Sequence, residues 1–144
     1  MAVTVKKATL WRKEVENRPG ALATTLEPLA NAGADLKVVM GYRRPGSESR
    51  AAIEVHPISG KRVTEAATNA GLSASGIPAL IVEGENRAGL GHAIAEALGA
   101  AGINLTFVLA QVVGRRYSAV FGFENEADAR RAPAAIKQAS TQKR

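Results

Sequence analysis

Two short runs combine groups that could hold a free carboxylate: Asn17-Arg18-Pro19-Gly20 and Asn86-Arg87-Ala88-Gly89. Asparagine both donates and accepts, arginine brings a fixed positive charge, and glycine removes the side chain that would block close approach to the backbone. Each run leads into an apolar-periodic segment, beginning Ala21-Leu22 in one case and Leu90 in the other. A helix N-terminus therefore opens behind each run, with unpaired N–H groups and partial positive charge that suit an anion. A small acid that also carried an ammonium would need acceptors for it. Asp35 and Asn104 open the strands that follow the two helices and could supply them if a partner surface brings them near. Each residue has a plainer alternative. Asn17 and Asn86 could cap a turn or helix. Gly20 and Gly89 could serve the turn alone, and Asp35 and Asn104 suit the turn after a Gly stop. Arg18 and Arg87 could be solvated loop residues.

Other chemistries find little footing. The two histidines, His56 and His92, lie outside metal-binding spacing, and cysteine is absent, so neither a thiolate metal site nor a disulfide framework is available. No Gly-x-Ser-x-Gly elbow, phosphate loop or dinucleotide fingerprint occurs, and the glycines of Gly84 to Gly91 stand in the wrong order for a phosphate loop. The expectation is a non-enzyme with no cofactor and no metal.

The two runs belong to a longer repeat. Glu16 to Gly20 returns as Glu85 to Gly89, a shift of 69 positions that also relates Glu27 to Glu96, Leu29 to Leu98, Gly33 to Gly102, Leu36 to Leu105 and Val39 to Val108. A repeat near half the chain length signals two copies of one module. In the first copy, Val3 to Val15 reads as strand, Ala21 to Ala32 as helix with Pro28 inside it, Asp35 to Tyr42 and Arg50 to Val55 as a hairpin pair, and Gly60 to Ala70 as a second helix capped by Ser59. In the second copy, Pro78 to Glu83 reads as strand, Leu90 to Ala101 as helix, Asn104 to Val113 and Arg116 to Phe123 as a hairpin, and Asn125 to Gln138 as a final helix interrupted at Pro133. The boundary is expected at 71/72, giving modules 1–71 and 72–144. The copies are out of phase: the second lacks a closing strand, while the first carries a spare at Val3 to Lys6. The expectation is that Val3 to Lys6 closes the second sheet, in the same chain or in a partner.

Composition narrows the partners. Hydrophobic residues make up 46% of the 144 positions, which is ordinary for a globular protein. Net charge is +6, but the positives are scattered in pairs such as Arg43-Arg44 and Arg115-Arg116, and aromatic residues are 4%. A nucleic-acid surface would need denser charge and stacking rings, so the excess reads as solubilising. Met1 to Lys13 lacks the apolar core of a signal peptide, and no apolar run reaches the roughly 18 residues of a membrane helix. A cytoplasmic protein without membrane contact is expected.

Each copy thus runs β-α-β-β-α with a further strand available to close it, the split βαβ or ferredoxin-like pattern. Within it, Asn17-Arg18-Pro19-Gly20-Ala21-Leu22, Leu26 and Asn31-Ala32-Gly33-Ala34-Asp35-Leu36 resemble the ACT domain. That family places Asp or Asn, any residue, then Pro-Gly before a helix, and ends the helix in Gly, any residue, Asn or Asp and an aliphatic residue. The second copy matches through Asn86-Arg87-Ala88-Gly89 and Gly102-Ile103-Asn104-Leu105, departing at Ala88, where the family has Pro, and at Gly91. The resemblance implies an α+β protein of two βαββαβ modules, with antiparallel sheets and helices on one face of each. It implies a stand-alone regulatory protein that binds an amino acid at sites between paired domains, acts through ligand-sensitive association, and forms a homodimer or larger homo-oligomer. A partner enzyme or regulator is a further expectation. The competing readings are a ligand-free association module and a basic protein that contacts nucleic acid. The copies are chemically unequal: the first has the fuller turn, with Pro19, and the second has Asn104 where the first has Asp35.

Overall fold

The structure is a computed structural model and describes residues 3–141. Twelve elements follow in the order β1 (Thr4–Ala8), β2 (Trp11–Glu16), α1 (Ala21–Asn31), β3 (Val38–Arg43), β4 (Arg50–His56), α2 (Lys61–Asn69), β5 (Ser73–Ala74), β6 (Ala79–Glu85), α3 (Leu90–Ala100), β7 (Leu105–Val113), β8 (Arg116–Phe123) and α4 (Glu126–Thr141). They form two four-stranded antiparallel sheets, ordered β3-β4-β2-β5 and β1-β6-β8-β7. The result is two βαββαβ modules of α+β class.

The compact units are residues 9–76 on one side and residues 77–141 together with 3–8 on the other. This differs from a division at 71/72 at both ends. Ser73 and Ala74 pair with Arg12 and Trp11, so the segment after α2 closes the first sheet. β1 pairs antiparallel with β6 over Thr4↔Glu83 to Ala8↔Ala79, so the start of the chain closes the second sheet. The single strand expected over Val3 to Val15 is therefore two strands, because the chain leaves one sheet for the other between Ala8 and Trp11.

In the first unit, alternate residues of β2 and β4 put Trp11, Val15, Ile53 and Val55 against Leu29 of α1 and Ala67 of α2. In the second, Leu80, Val82, Ala119, Phe121 and Phe123 of the sheet meet Leu90, Ile94 and Leu98 of α3 and Ala132 and Ile136 of α4. Period-2 strands and period-3.6 helices each present one apolar face, and these faces join. Fully burying such a side chain contributes about 1.5–3 kcal/mol, so each helix is fixed by its sheet more than by its own propensity.

Two local expectations are overturned. Ser59 does not cap α2: Gly60 holds the cap position, and no side chain bonds the helix start. Pro133 does not interrupt the last helix, which runs through it from Glu126 to Thr141. Buried Ala129, Ala132, Ile136 and Ala139 hold both halves of that helix in one core.

Candidate functional site

The first turn connects β2, at the centre of its sheet, to α1. Gly20 adopts φ 87°, the left-handed conformation that L side chains resist, and α1 begins one residue later. The N–H of Ala21 donates to Arg18 O at 3.2 Å, and that of Thr24 to Gly20 O at 3.0 Å. No side chain caps the helix start, and the first-turn N–H groups of Leu22 and Ala23 have no partner within the helix. Asn17 is used differently: its backbone N–H donates to Ser49 O at 2.9 Å and its Nδ2 to Glu48 O at 2.9 Å. It ties the turn to the β3–β4 hairpin loop. Arg18 Nε lies 3.6 Å from Glu16 Oε2, with both side chains exposed, a pair worth little to stability.

Beside this turn runs a groove of about 310 Å³. Val15, Ala21, Leu22, Gly41, Ala51 and Ile53 supply its apolar wall, and the exposed Glu16, Arg18 and Arg43 supply its charges. One side of the groove is β3, an edge strand of its sheet. Apolar walls with a few convergent polar groups are the usual make-up of a small-molecule site. Gly41, Ala51 and Ile53 carry no motif, and sequence reading passed over them; Arg43 reads from sequence as one of a solubilising pair, whereas it lines the groove. The available signal was a run of small residues, Gly41 and Ala51-Ala52, in the two strands nearest the turn.

The second turn has the same backbone and different surroundings. Gly89 sits at φ 83° and α3 starts at Leu90. Asn86 N–H donates to Arg115 O at 2.8 Å, Leu90 N–H to Arg87 O at 3.2 Å and Ala93 N–H to Gly89 O at 3.0 Å. The Arg87 side chain, however, donates from Nη2 to Ala139 O at 3.1 Å. Its charge is spent on the carbonyl end of α4, where a cation is favoured. Pro19 and Ala88 occupy the same place in the two turns.

Asp35 and Asn104 are not brought to the turns. Each follows the far end of its helix, and the eleven residues of α1 or α3 span about 16 Å. Asp35 is paired with Lys37 at 2.6 Å, and Asn104 Nδ2 donates to Glu124 Oε1 at 2.9 Å. The histidines are also apart from the groove: His56 Nδ1 is 3.2 Å from Thr9 O, and His92 is 3.9 Å from Glu96. Among the described residues no group of three or more His, Cys, Asp or Glu is placed to hold a metal ion. No helix among them is long and apolar enough to cross a membrane.

The opposite face of the first sheet carries a polar cluster. Tyr42 OH donates to Glu54 Oε2 at 2.6 Å, and Glu14 accepts from Arg12 at 3.3 Å and Arg44 at 2.8 Å. Burial, then the bond to Glu54, pushes the Tyr42 phenol up from its ordinary range. The Arg12 hydrogen bond holds the Glu14 carboxyl below the usual carboxylate value.

No protein-family model matches the chain, and no curated protein matches it by sequence. Solved structures do match. A Bacteroides thetaiotaomicron protein aligns with a TM-score of 0.71 at 14% identity, over 89% of this chain and 87% of that one. The ligand-free regulatory subunit of aspartate kinase from Thermus thermophilus aligns with a TM-score of 0.65 at 17% identity, over 99% and 98%. The corresponding subunit from Thermus flavus gives 0.58 at 19%, over 96% and 97%. At such identities the likeness is one of fold, and it extends over nearly the whole of both subunits and of this chain. Together with the turns at Asn17 to Gly20 and Asn86 to Gly89 and the two βαββαβ modules behind them, it shows that the chain has a tandem ACT fold.

Proposed function

We propose that this chain is a regulatory protein, not itself an enzyme, that binds a small molecule, an amino acid, and acts through ligand-sensitive association of copies or with a partner enzyme. The ligand-contacting residues are Asn17, Arg18, Pro19, Gly20, Ala21 and Leu22; their counterparts Asn86, Arg87, Ala88, Gly89 and Leu90 form the equivalent turn of the second module, where Leu90 is buried and Arg87 is bonded to Ala139 O, and Asp35 and Asn104 contribute only across an interface. One observation carries the reading: the groove of about 310 Å³ lies against the uncapped start of α1. N–H groups and helix dipole suit the carboxylate, Arg18 and Arg43 add positive charge, and Glu16 offers an acceptor to the ammonium. The fold shared with regulatory subunits of aspartate kinase supports a regulatory role. The groove also borders the unpaired edge of β3, so a strand added there would feel its contents.

A ligand that binds only the folded state raises stability by about 2.7 kcal/mol at a hundred times its Kd. Thermal melts of the full chain against each of the common amino acids should therefore show one or a few raising Tm. A flat response to all of them would sink the reading. A second reading, a ligand-free association module, is favoured by the exposed apolar edge of β7, where Val108, Leu109, Val112 and Val113 are all exposed. It expects self-association on size-exclusion with no ligand response in the same sample.

A further inference from the structure

The hydrogen-bonded ladders align the two modules residue by residue. Val15 and Arg43 flank Ala51; Gly84 and Val112 flank Tyr117. One residue after the left-handed glycines, Ala21 starts α1 and Leu90 starts α3. The groove wall formed by Ala21 and Ala51 thus corresponds to Leu90 and Tyr117. Both are in the core, at 2% and 4% exposure. Val3 seals the same region: it is 4% exposed, and a Cβ on Gly84 would stand 2.8 Å from its Cγ1. The second module has filled with its own side chains the space that the first leaves open.

The charges follow the same division. Arg43 corresponds to Val112, and Arg87, the counterpart of Arg18 in the repeat, donates to Ala139 O. Among the described residues, the first module has a groove beside its turn with two exposed arginines at it, where the second has Val112 and an Arg87 already bonded.

We propose that each chain has one ligand site, in the first module, and that it selects an amino acid with a branched aliphatic side chain. That side chain takes the place that Leu90 and Tyr117 take in the second module. The inference rests on the amino-acid reading above and deepens it. Val15, Leu22 and Ile53 would leave a charged side chain without partners, which is costly in an apolar setting. Arg18, Arg43 and the start of α1 take the carboxylate, and Glu16 takes the ammonium.

The test is calorimetric titration of the full chain with leucine, isoleucine, valine, aspartate and lysine. One mole of an aliphatic amino acid should bind per chain, with aspartate and lysine at least tenfold weaker. Ala51→Tyr and Ala21→Leu, which install the second module's residues, should each weaken binding at least tenfold. Arg43→Val alters an exposed side chain and leaves the core intact, so it remains informative if the other two disturb folding; it should also weaken binding at least tenfold. Two moles per chain, tighter binding of aspartate or lysine, or unchanged affinity in Arg43→Val would overturn the inference while leaving amino-acid binding in place. No binding of any amino acid would overturn both.

Discussion

Glu54 is fully buried, and only one of its oxygens is satisfied: Oε2 accepts from Tyr42, while Oε1 has no hydrogen-bond partner. A buried acceptor deprived of its partner costs about 1–3 kcal/mol, whereas replacing both partners by apolar groups can be nearly neutral. Tyr42→Phe should therefore lower unfolding stability by about that amount. Adding Glu54→Val, the residue type that the ladder places there in the second module as Val120, should recover most of it; urea denaturation of both variants tests the pair. Tyr117 offers a second check. Burial pushes its phenol above the usual value, so the unfolded chain releases that proton first. Its contribution is fully present below about pH 10, the unfolded value, and is lost as pH rises from there through the folded value. Chemical denaturation across that range should show a shallower alkaline loss in Tyr117→Phe than in the parent chain; equal slopes would count against it.

Elements are where the sequence was most legible and where its errors have clear physical causes. The 69-residue shift located both turns and both first helices because helix length and the Gly stop are fixed by backbone needs. It fails in the hairpins: Arg50 pairs with Glu16, and Arg116 with Glu85, a shift of 66. Between the matched positions Arg43 and Arg50 the first hairpin has three residues more than the second has between Val112 and Arg116, and Asn17 is anchored to the β3–β4 loop rather than to its helix. Hence Ala51, which opens the groove, cannot be matched to Tyr117 from the turn motif alone, and the site stayed half hidden. The place of β1 in the second sheet was signalled by phase, since the 69-residue shift sets Val3 to Lys6 against the segment 72–75 that follows α2. Pro133 misled for a different reason. Intrinsic propensity argues against a helix there, yet packing of Ala132, Ile136 and Ala139 outweighs it. The penalty persists even so. Pro133→Ala should restore a backbone donor and raise stability by about 1–3 kcal/mol, read as an increase in Tm. A lower Tm would mean that the ring's packing outweighs the missing hydrogen bond.

At the scale of the whole molecule, the question is what covers β7. It is an edge strand of nine residues, Leu105 to Val113, with no charge and no proline in it. Val108, Leu109, Val112 and Val113 are 53%, 48%, 47% and 67% exposed, so both of its faces are apolar and open to solvent. Natural proteins usually blunt such an edge with lysine, proline or a bulge, because its free N–H and C=O groups template pairing with another strand. Here the bulge lies at the start, between Leu105 and Phe107, and the rest of the strand pairs regularly with β8. A second copy of the chain fits this edge, because an antiparallel pair of identical strands is self-complementary about a twofold axis, and no like charges meet across it. The chain should therefore be a dimer at micromolar concentration. Val112→Lys places a charge on that edge, as natural sequences do. It should shift the protein to monomer in sedimentation experiments while leaving the far-UV circular dichroism unchanged. A parent chain that stays monomeric at tens of micromolar, or a lysine variant that dimerises as well as the parent, would exclude β7 as the contact.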